Sequence, residues 1–321
     1  MRPKFSIIIP SKNSSKTIRK LLESIFNAYD KNFFEVIVVD SSNDNTAAIL
    51  KEFPIRVFKL PFTKKRNTTF SRNLGISKAR GNFLYFLDAD SFLESNWQIH
   101  LKQLIKSELS IFGGKVSTKG SFFDFYCENS IKSPMRHVKK AFKINKSNFY
   151  KGTWPIAGNM CVKKDVFKKI GRFDENMESY EEVDFLWRAC REGIDIHMFP
   201  FIKVIHSYNK SIVEGIKTYF RYGTGCGKFI IKYPKTGLSI FRLLINSLLL
   251  CLSLLFLFST FFAKGNLIYF LIPFVGLFIY YLSKEGFKKK IIPFPLFDLL
   301  YAGVSYNMGI LYSISKELLK R

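Results

Sequence analysis

The sequence predicts an α/β fold, in which a mostly parallel sheet carries helices on both faces and is followed by an all-helical membrane region. Three observations predict it. Over the first hundred residues, short apolar runs alternate with stretches of helical spacing, the pattern of parallel strands joined by helices. The runs are continuously apolar, as in strands buried on both faces. Beyond residue 242, two stretches of about twenty residues contain no charged side chain, and each is long enough to cross a bilayer.

The N-terminal elements follow from this alternation. They are, in order, a strand over 5–9, a helix over 18–25, a strand over 34–39, a helix that opens after the turn residues 41–46, a strand over 55–58, a helix over 69–78 and a strand over 83–87. Asp40 follows the second strand, and Asp88 and Asp90 follow the fourth. Because ligands of such sheets bind at the carboxyl ends of the strands, these carboxylates are predicted to line a binding site.

Asp88 and Asp90 form the most informative pattern in the chain. Alternate residues of a strand point to the same side, so both carboxylates can face one ligand. Mg²⁺ and Mn²⁺ prefer oxygen ligands and are commonly held by carboxylates together with phosphate oxygens. The pattern therefore predicts a metal site for a diphosphate, although isolated Asp-x-Asp matches also occur in ordinary turns and helix caps.

Several short motifs of the chain occur in the same order as in a known protein family. They lie at residues 6–13, 38–46, 71–76, 79–90, 158–159, 171–175 and 181–188. On these motifs the chain, over about residues 4–208, resembles a family 2 glycosyltransferase of the GT-A fold. The resemblance implies a nucleotide-diphospho-sugar donor, a divalent metal ion, either Mn²⁺ or Mg²⁺, and transfer with inversion at the anomeric carbon.

The resemblance also implies a set of metal ligands. Asp90 is the first of them, and Asp88 shares the metal ion or lies nearer the ribose. His206 ends a strand-like run over 202–205 and by resemblance completes the metal shell or contacts the diphosphate. A histidine that caps a turn is the alternative, because neutral imidazole is a less typical ligand for hard cations.

The nucleotide of the donor is expected near the ends of the first two strands. By resemblance, Asp40 accepts a hydrogen bond from the nucleobase, Pro10 and Lys12 flank the same pocket, and Arg72 lies near the base or the diphosphate. Without the resemblance, Asp40 would be a cap residue and Arg72 a surface cation. The order of the motifs favours the functional interpretation.

An inverting transfer needs a general base that takes the proton of the acceptor hydroxyl. The family usually supplies it from a Glu-Asp pair before a helix, whereas this chain has Glu181 and Glu182. Glu182 is the first candidate although it is one methylene longer, and Asp184 is the second. The three carboxylates would also favour a helix N-terminus through the helix dipole, at about 0.3–1 kcal/mol each. Both roles are compatible, so Glu181, Glu182 and Asp184 are the candidate catalytic residues.

The character of the chain changes after residue 208. The predicted division is a catalytic domain over 1–210, a basic amphipathic helix at a membrane interface over 211–236 and a membrane region over 237–321. The membrane region is predicted to contain spanning helices over 243–262 and 265–283 and a third spanning or interfacial segment over 291–315. Four lysines lie between residues 284 and 290, which predicts that this loop and the catalytic domain are cytoplasmic.

The charge of the chain indicates anionic partners. Lys and Arg number 50 against 25 Asp and Glu, a formal net charge of +25. The predicted spanning helices and the lack of a nucleic-acid motif favour membrane lipids and diphosphates over nucleic acid. A basic stretch from Lys132 to Lys151 is compatible with a lipid phosphate site or with an ordinary solvated surface. Five cysteines without a Cys-x-x-Cys pair favour reduced thiols in the cytosol.

Together these observations predict a membrane-bound inverting glycosyltransferase that moves a single sugar to a lipid-linked acceptor, of the polyprenyl or dolichyl type, at the cytoplasmic leaflet. The Gln-x-x-Arg-Trp motif of processive relatives is absent from the sequence, which argues against a polymerase. One alternative is a polyprenyl-phosphate sugar synthase that acts directly on the lipid phosphate. The other is a catalytically inactive nucleotide-sugar-binding scaffold at the membrane.

Overall fold

The computed structural model describes residues 3–27, 30–62, 68–107, 109–118, 138–177, 179–206, 211–244, 247, 251 and 304–319. These residues form two compact units. The first unit contains the described residues up to 118 and those from 138 to 206, and the second contains those from 211 onwards.

The first unit is built around one nine-stranded sheet. Its strands are β1 (Phe5–Ser11), β2 (Phe34–Asp40), β3 (Arg56–Lys59), β4 (Phe83–Leu87), β5 (Ser91–Leu93), β6 (Ile111–Thr118), β7 (Phe142–Ile144), β8 (Asn159–Lys163) and β9 (Ile196–His206). The α-helices described in this unit are α1 (Ile18–Phe26), α2 (Thr46–Leu50), α3 (Thr68–Lys78), α4 (Trp97–Lys106), α5 (Lys164–Ile170) and α6 (Glu181–Arg191).

The sheet is mixed, with the strand order β3-β2-β1-β4-β8-β6-β9-β5 and with β7 paired to β9. The first four strands are parallel, as the sequence predicts. The prediction of a mostly parallel sheet does not extend to the second half, because β8 is antiparallel to both of its neighbours and β5 and β7 are antiparallel to β9. Parallel neighbours need a long crossover connection, and the regular alternation that signals such crossovers ends with β4.

The core lies between the sheet and its helices. Every residue of β1 is buried, and helix α1 buries Ile18, Leu21, Leu22 and Ile25, which the 3.6-residue period places on one face. Helix α3 approaches the sheet closely at Gly75, where a Cβ atom would collide with the side chain of Ile8. The motif glycine at this position therefore permits close packing of the helix on the central strand.

A bulge interrupts the pairing of β6 with β9. Gly114 pairs with Phe199, but the next residue, Lys115, pairs with Lys203. At this interruption the side chain of Asn159, in β8, forms hydrogen bonds with carbonyl groups of both β6 and β9. Its Nδ2 donates to the carbonyl oxygens of Lys115 at 2.9 Å and Ile202 at 3.2 Å, and its Oδ1 accepts from the Tyr85 hydroxyl at 2.8 Å. Asn159 thus joins four strands behind the carboxyl end of β4.

Replacing Asn159 with leucine is expected to lower the free energy of unfolding by about 3 kcal/mol, because buried polar partners left without hydrogen bonds cost roughly 1–3 kcal/mol each. The midpoint of urea denaturation measures the change. Asn82→Ala is the matched control, since the Asn82 side chain is exposed. Equal midpoints for the two variants would show that the bulge does not depend on this side chain.

The second unit contains α7 (Ile212–Lys232) and α8 (Tyr306–Leu318). Helix α7 opens with a capping box between Ser211 and Glu214. The backbones of the two helices are in direct contact: Cβ atoms on Gly223 and Gly309 would collide with backbone atoms of the facing helix. Helix α7 lies within the stretch predicted as an interfacial helix, and its position relative to a membrane stays a prediction.

The predicted spanning helices lie outside the described residues, apart from residues 243, 244, 247 and 251. The predicted segment over 291–315 is described only from residue 304. Among the helices that the structure does describe, none combines the length and the apolar character needed to cross a membrane.

Candidate functional site

The site residues converge at the strand ends where the sequence predicts them. Asp88 and Asp90 lie in the tight turn between β4 and β5, in which the amide of Ser91 donates to the carbonyl oxygen of Asp88 at 3.1 Å. His206 is the last residue of β9 and pairs in register with Ser91. One potential ligand atom from each of Asp88, Asp90 and His206 lies within 4.8 Å of the others.

The contacts within this cluster are direct. The Nε2 atom of His206 lies 3.0 Å from an oxygen of Asp90 and 3.6 Å from an oxygen of Asp88. The His206 side chain is buried, whereas the Asp90 side chain is 39% exposed, so the cluster opens to solvent through Asp90. Two carboxylates and one imidazole are a ligand set that suits a divalent metal ion such as Mn²⁺.

The charge of the cluster changes the protonation of His206. Burial by itself lowers the pKa of the imidazole, but the hydrogen bonds that the imidazole donates to Asp88 and Asp90 outweigh burial and raise the pKa to about 9. Without a metal ion, His206 is therefore an imidazolium at neutral pH and offsets part of the negative charge of the two aspartates.

Arg72 connects the cluster to helix α6. Its buried guanidinium donates to Asp88 at 2.8 Å and to Glu181 at 2.5 Å. Burial alone would lower the pKa of Arg72, yet Asp88 and Glu181 raise it, so the guanidinium stays charged. The interpretation of Arg72 as a surface cation is therefore wrong, and its predicted contact with the donor stays a prediction.

Gly158 belongs to the site, although it is not among the predicted site residues. A Cβ atom at this position would lie 2.5 Å from the Oδ2 atom of Asp88. Only glycine leaves room for the carboxylate in its present position. The available signal was the Gly-Asn motif at 158–159, in which Asn159 joins the strands and Gly158 faces the aspartate.

The three candidate catalytic carboxylates have different surroundings at the start of α6. Glu181 accepts the hydrogen bond from Arg72. Asp184 is fully buried and receives a hydrogen bond from Nε of Arg188 at 2.9 Å, and Arg188 also donates to the carbonyl oxygen of Arg172 at 2.7 Å. Asp184 thus helps to hold the loop that precedes α6.

Glu182 differs from both of its neighbours. It is partly exposed, and no ion pair to its carboxylate is seen in the part of the chain that the structure describes. Desolvation first, and the charge of Glu181 second, raise the pKa of Glu182 above the ordinary value, while Arg72 opposes the shift. A carboxylate with a raised pKa is a stronger base, which suits proton abstraction near neutral pH.

The predicted nucleotide residues lie at the ends of β1 and β2. Asp40 is 2% exposed, and one of its oxygens accepts a hydrogen bond from the Ser42 hydroxyl at 2.6 Å. Pro10 is buried within β1, and the Lys12 ammonium lies 5.0 Å from the ring centre of Phe62. Asp40 is separated from β4 by the intervening strand β1, so this group forms a second part of the site.

Hydrogen bonds tie the two loops of this second part together. Asp44 accepts from the backbone amides of Ser15 at 3.2 Å and Thr46 at 3.0 Å. Desolvation would raise the pKa of Asp44, but the hydrogen bonds from Thr46 and Ser15 lower it to about 2. Residues 41–46 are predicted as turn and cap residues within the motif at 38–46, and the contacts of Asp44 show that they also hold the loop after β1.

Comparisons with known proteins agree with this geometry. The family model described as Glycosyl transferase family 2 matches residues 6–171. A dolichyl N-acetyl-α-D-glucosaminyl phosphate 3-β-D-2,3-diacetamido-2,3-dideoxy-β-D-glucuronosyltransferase from Methanococcus voltae is 27% identical over 239 residues, which cover 71% of this chain and 74% of that protein. Glycosyltransferase AglE from Haloferax volcanii is 27% identical over 228 residues, 70% of this chain and 73% of that protein.

Solved structures show the same fold. A mannosyltransferase from Pyrobaculum calidifontis, solved in complex with GDP-Man and Mn²⁺, superposes with a TM-score of 0.63 at 16% identity, covering 99% of this chain and 88% of that chain. S. aureus TarS in complex with UDP-GlcNAc gives a TM-score of 0.57 at 16% identity, covering 99% of this chain and 92% of that chain. At this level of identity the likeness concerns the fold alone.

Proposed function

The chain belongs to glycosyl transferase family 2, and on that premise we propose that it is a membrane-bound, inverting, metal-dependent enzyme that transfers one sugar to a lipid-linked acceptor. The donor is a nucleotide-diphospho-sugar, and the acceptor is of the polyprenyl or dolichyl type at the cytoplasmic leaflet. The observation that carries the proposal is the cluster of Asp88, Asp90 and His206, linked through Arg72 to the helix that bears Glu182.

Two lines of support concern the acceptor and the membrane. The name of the Methanococcus voltae relative describes a transferase that acts on a dolichyl-linked sugar phosphate. In this chain, residues 243–262 and 265–283 contain no charged side chain. An acceptor that is itself anchored in a bilayer suits an enzyme that is anchored beside it.

In the proposed mechanism, Asp88, Asp90 and His206 hold Mn²⁺ or Mg²⁺. When bound, the ion neutralises the charge that develops on the diphosphate leaving group. Arg72 fixes the position of Asp88 through its 2.8 Å hydrogen bond. Asp40 accepts from the nucleobase with the carboxylate oxygen that does not receive the Ser42 hydroxyl.

Glu182 is the general base in this proposal. Its carboxylate takes the proton of the acceptor hydroxyl while that oxygen attacks the anomeric carbon and the bond to the diphosphate breaks. The ion pair of Asp184 with Arg188 and the hydrogen bond of Glu181 to Arg72 favour positioning roles for those two residues.

Donor turnover by the full chain in detergent tests the proposal. A panel of nucleotide sugars is incubated with polyprenyl-linked sugar or with polyprenyl phosphate, each in Mn²⁺, Mg²⁺ or chelator. Metal-dependent transfer of one sugar to the polyprenyl-linked sugar is expected. Transfer to polyprenyl phosphate alone would identify a sugar synthase, and donor binding without transfer to any acceptor would identify a scaffold.

Metal binding is expected to release a proton from His206. The imidazole must be neutral to act as a ligand, but its pKa is about 9 in the metal-free protein. The proton therefore competes with the metal ion, and the affinity for Mn²⁺ rises as the pH increases towards that pKa. Calorimetric titration at neutral pH in buffers of different ionisation enthalpy measures the released protons. A His206→Asn variant is expected to lose the release, and an equal release from this variant would contradict the assignment.

A further inference from the structure

Strand β7 carries a strongly basic surface on the first unit. The strand pairs with β9, and the structure describes no second strand beside it. In and around β7, five lysines and two aromatic residues are exposed, and we call them the basic edge: Lys139, Lys140, Phe142, Lys143, Lys146, Tyr150 and Lys151.

Little negative charge offsets the basic edge. The sequence contains no Asp or Glu from residue 129 to residue 164. Asp195 lies 3.1 Å from Lys143, and within the described part of the chain Lys139, Lys140, Lys146 and Lys151 form no ion pair. Lysines on an edge strand also block pairing with other strands, but only Lys143 lies within β7, so that role does not account for the other four lysines.

The tip of the basic edge is held rigidly. The Asn148 side chain accepts from the amide of Asn145 at 2.8 Å and donates to the carbonyl oxygen of Lys143 at 2.9 Å. Asn145 in turn accepts from the amide of Ser147 at 3.0 Å. This network presents Lys146 at the end of a preformed turn, so binding there would cost little ordering of the backbone.

Exposed aromatic rings accompany the lysines. Phe142 is 36% exposed and Tyr150 is 43% exposed. An apolar ring and a tyrosine among lysines are typical of surfaces that lie at the boundary between lipid headgroups and water. A surface for single-stranded nucleic acid also combines lysines with aromatic rings, but it lines a groove along the nucleic-acid backbone, whereas the basic edge follows a short strand and a turn.

The basic edge is also connected to the proposed catalytic helix. Phe149, next to Tyr150, is 1% exposed, and the centre of its ring lies 5.2 Å from that of Trp187 in α6. Trp187 follows Glu182 on the same helix. A buried ring contact therefore joins the basic edge to the helix that bears the proposed base.

We propose that the basic edge docks on the anionic lipid headgroups of the membrane surface and so orients α6 towards lipid-linked acceptors. This inference rests on the proposed function, because that function places the acceptor in a bilayer. The occupant is the bilayer surface itself, recognised by its negative charge, and it is distinct from the phosphate of the acceptor molecule.

Hydrogen–deuterium exchange of the full chain in nanodiscs tests the proposal. Discs of phosphatidylcholine with and without phosphatidylglycerol are compared, at low and at high salt. Exchange over residues 142–151 is expected to slow at least about fivefold in the anionic discs at low salt, because one lysine near such a surface strengthens binding by roughly that factor. The exchange rate is expected to recover at high salt. The variant Lys139→Gln/Lys140→Gln/Lys146→Gln is expected to lose the effect.

The control variant Lys51→Gln/Lys106→Gln/Lys168→Gln removes the same charge from exposed lysines elsewhere and is expected to keep the effect. Protection that does not depend on lipid charge, or that persists in the first variant, would overturn the proposal. Protection by an oligonucleotide but not by anionic lipid would also overturn it. Donor turnover in detergent separates this inference from the proposed function. The first variant is expected to turn over donor like the parent, whereas absence of turnover in the parent would count against the proposed function alone.

Discussion

Replacement of Asp90 by asparagine is expected to lower kcat/KM for sugar transfer at least about 10³-fold, since a metal ligand and its charge are lost where the leaving diphosphate needs them. Asp90 lies 3.0 Å from His206 and is the more exposed of the two aspartates. The neutral amide keeps the size of the side chain, so the fold is expected to remain. Initial rates over a Mn²⁺ titration measure the change, and raised Mn²⁺ is expected to restore part of the activity.

Asp165→Asn is the matched control for this experiment. Asp165 is an exposed aspartate that pairs with Lys168 on the surface of α5, so its replacement is expected to leave the rate unchanged. An Asp90→Asn enzyme that turns over donor like the parent at every Mn²⁺ concentration would remove the cluster from the mechanism. Loss of activity in both variants would point to a general effect of surface charge.

The proximity of Asp88 and Asp90 was predictable from the sequence, because both follow the same predicted strand at its carboxyl end. His206 was predictable only through the family resemblance, because carboxyl ends share an edge only in parallel strands, and β9 runs parallel to β4 only because β8 between them is reversed. The parallel pairing of the first four strands was predictable as well, since regular alternation of strands and helices leaves few topologies. The reversal at β8 was not, because antiparallel pairing depends on which short strands become neighbours, and no local pattern shows that.

The other features of the site that could not be predicted from the sequence are contacts between residues far apart in the chain. The hydrogen bond from Arg72 to Glu181 joins residues 109 positions apart, and the contact of Gly158 with Asp88 depends on how β8 pairs with β4. Individual motifs indicate that such residues matter, but only the assembled sheet shows what each one contacts. The same holds for Asn159, whose partners are carbonyl groups that a bulge in another pair of strands makes available.

Glu182→Gln is expected to reduce transfer about 10²–10⁴-fold, the usual contribution of a general base, while metal-dependent donor binding remains. The raised pKa of Glu182 also predicts a pH dependence of transfer by the parent enzyme when Mn²⁺ is saturating at every pH. Below that pKa the carboxyl group is protonated and cannot accept the acceptor's proton. The rate therefore falls with decreasing pH, and it begins to fall above the ordinary glutamate pKa of about 4.3. The pH–rate profile and a donor-binding titration measure the two effects.

Two further variants distinguish a base at Glu182 from a structural role. Glu182→Asp restores the residue usual in the family and keeps the carboxylate, so it is expected to retain much more activity than the glutamine variant. Asp184→Asn weakens the buried ion pair with Arg188, so it is expected to lower the unfolding midpoint while the folded fraction keeps its pH profile. If Asp184→Asn instead removed the acid limb of the profile and Glu182→Gln left that limb in place, the base would be Asp184. Glu182, at the start of the same helix, would then contact the acceptor without accepting the proton of its hydroxyl group.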